Sequence, residues 1–110
     1  MIFDKKDNIT IITQEKASII ELVKKLEVLY ARFKNDNVII SLTSLKPISL
    51  TDIVEFLKLS NTHRKAKNSF IIVTDKVDFD EMPDELVVVP TMQEAFDIIE
   101  MEEMERDLGF

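Results

Sequence analysis

At 110 residues, 45% of them hydrophobic, the chain is sized for one domain that buries roughly 65% of its unfolded surface, and it has no cysteine for disulfides or thiolate metal sites. The net charge of -7 is uneven: residues 1–67 carry 12 Lys+Arg and 8 Asp+Glu, residues 68–110 carry 2 and 13, a balance of +4 against -11 that disfavours nucleic acid as a partner. No segment approaches the roughly 20 apolar residues of a membrane span, and residues 1–6 lack the apolar run of a signal peptide, so a soluble cytoplasmic protein without membrane contact is expected.

In chain order, Ile2-Phe3 and Ile9 to Ile12 flank the polar run Asp4 to Asn8, which predicts a hairpin with its first strand at a sheet edge. From Glu15 to Phe33, Ile19, Leu22, Val23, Leu26, Leu29, Tyr30 and Phe33 recur at three- and four-residue steps, the stripe of a helix that packs on a sheet. Lys34 to Asn37 stops it, and Val38 to Leu42 is an apolar run suited to a covered strand. A second helix is predicted over about 49–67, with Ile53, Phe56, Leu57 and Ser60 inward and Asn68 closing it in the left-handed conformation. Phe70 to Val73 forms the next strand, the acidic stretch Asp75 to Glu85 a connection, and Leu86 to Val89 a further strand. Thr91-Met92-Gln93-Glu94 has the capping-box pattern of a last, acidic helix over about 91–108. The order β-β-α-β-α-β-β-α implies a single α/β domain, residues 1–110, with a four- or five-stranded mixed sheet, helices mainly on one face and a hairpin at the start.

The stretch from Val38 to Asp75 resembles the STAS domain, the module shared by sulfate transporters and anti-sigma factor antagonists. That family opens a helix with Asp-Ser-Ser/Thr-Gly-Leu after an apolar strand end. Here Ile48 takes the apolar place, Ser49 the Asp, Leu50 the phosphorylatable Ser, Thr51 the second hydroxyl, Asp52 the Gly and Ile53 the Leu; Lys67-Asn68 stands where the family has glycines. Pro90 to Phe96 is similar to the family's last strand-to-helix passage. The resemblance implies a non-catalytic protein-protein interaction domain whose partner is a kinase-like anti-sigma factor, engaged through Ser49, Leu50, Thr51, Asp52 and Ile53. Leu50 cannot carry the family's phosphate, so regulation without that phosphoswitch is expected.

The residues themselves leave several readings of this loop. Ser49 before an apolar periodic run is first of all an N-cap, and Ser49 with Asp52 has capping-box spacing. A second reading makes Ser49 or Thr51 a substitute phosphorylation site, because phosphate at a helix start is favoured by exposed amides. A third makes Leu50 an apolar anchor beside the fixed charge of Asp52.

Elsewhere, the lone His63 lies among Arg64, Lys65 and Lys67 and is expected at the surface, where it complements a helix dipole. One histidine and no cysteine argue against zinc and metallo-β-lactamase-type chemistry, and the acids between Asp75 and Glu85 lack calcium-loop spacing, so no metal is expected. Gly109 is the only glycine, which excludes phosphate-binding glycine loops; no cofactor and no enzymatic activity are expected. Five acids close to the end of the last helix need compensation, and Met101, Met104, Leu108 and Phe110 form a candidate docking tail, with the basic end of the second helix as counterpart, within the chain or from another copy. Frayed terminal turns are the plainer alternative. A homodimerising structural module that has lost signalling, and a small-ligand or nucleotide-binding domain, are the other functional classes.

Overall fold

Five strands form one mixed sheet in the spatial order β1-β2-β3-β4-β5: β1 (Ile2–Lys6), β2 (Ile9–Thr13), β3 (Asn37–Ser41), β4 (Phe70–Val73) and β5 (Val87–Val89). The computed structural model describes residues 1–14, 18–42 and 48–109. β1 pairs antiparallel with β2, and β2 through β5 run parallel. The helices are α1 (Ile19–Leu29), α2 (Leu50–Val54), α3 (Leu57–Lys65) and α4 (Met92–Asp107). The element order is the one the sequence predicts, with the second helical element in two pieces.

The two central strands explain the architecture. Every residue of β3 and β4 is buried, because both sheet faces are covered there. Val38, Ile40, Leu42, Phe70 and Ile72 point to one face and meet Leu22, Val23 and Leu26 of α1, Ile53 of α2 and Leu59 of α3. Ile39, Ile71, Val73 and Val89 point to the other and meet Ala95 and Ile99 of α4. Side-chain alternation along a strand makes this division automatic. Each fully buried Ile, Leu or Phe contributes roughly 1.5–3 kcal/mol. Three helices share one face because the strand order advances in one direction, and right-handed crossovers then fall on the same side. α4 follows the last strand, makes no crossover, and takes the opposite face.

The hairpin turn is shorter than the polar run suggested. Lys6 pairs with Ile9, so only Asp7-Asn8 turns, with Asp7 at φ 56°. Asp4, Lys5 and Lys6 belong to β1, where charges on an edge strand discourage pairing with other chains.

Two helix details also differ from expectation. The predicted 49–67 helix breaks at Glu55-Phe56, where the Glu55 and Phe56 amides donate to the carbonyls three residues back, Asp52 and Ile53. This tightened turn lets both Ile53 and Phe56 reach the core. At the helix end Lys67, not Asn68, takes the left-handed conformation (φ 67°). The Lys67 amide donates to the Arg64 carbonyl and the Asn68 amide to the His63 carbonyl, the bond pattern of a Schellman cap. Asn68 is used elsewhere: its Nδ2 donates to the Lys34 carbonyl at 2.9 Å.

Candidate functional site

The parallel strands β2 to β5 end on one side of the sheet, and the β3-to-α2 junction lies there. Such edges are where open α/β sheets place ligands and partners. Ile48 is buried, and its amide donates to the Lys76 carbonyl at 3.1 Å, tying the segment before α2 to the loop after β4. Residues Thr43 to Pro47 lie outside the described residues.

Ser49 is the N-cap of α2. Its Oγ accepts from the Asp52 amide at 3.2 Å and donates to Asp52 Oδ2 at 3.1 Å, while the Ser49 amide reaches the same carboxylate oxygen at 3.4 Å. The reciprocal capping box is therefore formed with Asp in the place usually held by Glu or Gln. Asp52 is committed to the chain's own backbone, where its charge also suits the helix start. Leu50 is 39% exposed and Thr51 is exposed, whereas Ile53 is fully buried in the core. Of the five residues carried by the resemblance, Leu50 and Thr51 are thus presented outward, Ser49 and Asp52 hold each other, and Ile53 anchors the loop from beneath. Ser49→Ala is expected to cost about 1 kcal/mol in thermal unfolding, and Thr51→Ala less than about 0.5 kcal/mol.

His63 is not at the surface. It is fully buried, enclosed by the rings of Tyr30, Phe33 and Phe70 at centroid distances of 5.5, 6.3 and 6.1 Å. Its Nε2 donates to the Asp36 carbonyl at 2.6 Å, which leaves Nδ1 to accept the Tyr30 hydroxyl at 2.9 Å. This partnership describes a neutral imidazole. Burial pushes its pKa below the usual histidine value, the Asp36 hydrogen bond and carboxylate oppose that shift, and Arg64 adds to it. Burial also raises the Tyr30 phenol. The signal was present in the sequence: His63 continues the inward row Phe56, Ser60 of the same helical element, which its cationic neighbours obscured.

At the opposite edge of the sheet, the start of β3 and the segment before β4 carry a polar network that fastens α4. Asn37 Oδ1 accepts from the buried Ser69 amide at 2.8 Å and from Arg106 at 3.3 Å, and Asn37 Nδ2 donates to Glu103 at 2.8 Å. Arg106 also reaches the Ser69 hydroxyl at 3.3 Å, and Asn8 donates to Glu103 at 3.1 Å. Arg64 of α3 meets Glu102 at 2.6 Å. The acids of the last helix are therefore compensated in part within the chain, and the basic end of α3 supplies one of the partners.

The apolar residues of α4 divide between the sheet and solvent. Ala95 and Ile99 face the sheet, but the next inward positions are Glu102, Glu103 and Arg106, because α4 runs past the hydrophobic face onto the polar strand starts. Met101, Met104 and Leu108 are left exposed, and Phe110 lies outside the described residues. Among the described residues, no group of three or more His, Asp and Glu could hold a metal ion, and no helix is long and apolar enough to cross a membrane.

No protein-family model matches this sequence, and neither does any curated protein.

Proposed function

We propose that this chain is a non-catalytic protein-recognition domain of STAS-like organisation, acting through the start of α2 without a phosphoserine switch. The observation that carries this reading is the closed Ser49-Asp52 capping box, which fixes the start of α2 and presents Leu50 and Thr51 outward above the buried Ile53. A helix start held in one conformation loses little entropy on docking, and an exposed apolar residue there is a suitable anchor. Serine at the place of Leu50 would let a partner be released by added charge; leucine removes that option and favours a standing contact. Phosphate on Ser49 would face the Asp52 carboxylate, so of the two hydroxyls Thr51 is the better modification site. By the resemblance, the partner is a kinase-like anti-sigma factor.

Affinity capture of the intact protein from its native lysate, with mass spectrometry of what co-purifies, tests the reading. A kinase-like regulator retained by the wild type and lost with Leu50→Lys is the expected result. The substitution sits at an exposed position and should leave the melting temperature within a few degrees of wild type. Retention of the same partner by Leu50→Lys would overturn the assignment of the surface, and recovery of the chain alone would retire the antagonist role.

A further inference from the structure

We draw no further inference here: the strongest candidate, the open groove between α4 and the β1–β2 turn, carries nothing, since its Phe96 ring and Glu103 carboxylate are engaged by Lys6, Asn8 and Asn37 of the same chain and nothing in the structure shows what covers the rest.

Discussion

His63→Ala is expected to destabilise the protein by about 3 kcal/mol, a large share of the roughly 5–15 kcal/mol that holds a domain together. The loss has two parts. Removing the ring opens a cavity among Tyr30, Phe33 and Phe70, and it strips the Asp36 carbonyl and the Tyr30 hydroxyl of their partner. For a domain of this size the melting temperature should fall by roughly 10–20 °C, which differential scanning calorimetry reads directly. A change of less than a few degrees would show that the imidazole is replaceable by water and repacking.

The same residue sets a pH dependence. Its folded pKa is depressed, so the unfolded chain takes up the proton first as pH falls. The stabilisation from neutral His63 is complete above the unfolded value of about 6.5, and it is lost as pH drops from there through the folded value. The slope from this one group is at most about 1.4 kcal/mol per pH unit. Urea denaturation at intervals between pH 7.5 and about 5.5 should show it, with His63→Gln, which cannot titrate, flattening the curve in that window. A wild-type curve that is already flat there would count against the neutral, buried assignment.

Asn37→Ala carries the second large effect, about 2–3 kcal/mol. Asn37 is buried, and its amide satisfies the Ser69 N–H while linking to Arg106 and Glu103 of α4. Alanine leaves a buried amide without a partner and detaches the last turns of α4 from the sheet. Hydrogen exchange is the discriminating measurement: the Ser69 amide and residues 102–108 should lose protection well beyond the change in global stability, while β3 and β4 lose only the global amount. Uniform loss across the molecule would instead indicate that Asn37 contributes to the core without a special role in seating α4.

These two residues also explain why part of the candidate site escaped sequence reasoning. Asn37 reads as a helix-stopping loop residue in Lys34 to Asn37, and nothing in its neighbours announces that residues 32 and 69 positions onward share its side chain. His63 stands on a legible inward row, yet its flanking cations suggested solvent. Local composition favoured the surface, while the surrounding rings and the free Asp36 carbonyl favoured burial, and the tertiary contacts prevailed.

By itself the sequence determined the alternation of strands and helices, the buried runs of β3 and β4, the capping box at Ser49 and Asp52, and the exclusion of cysteine and glycine-loop chemistry. Those features depend on periodicity, side-chain volume and hydrogen bonds spanning three or four residues, which are written locally in the chain. Only the tertiary structure decided that α4 takes the face opposite α1, and that its acids meet Arg64, Asn8 and Asn37 of the same chain. Such facts depend on pairings between residues tens of positions apart, fixed by the register of the sheet and the side on which each connection returns.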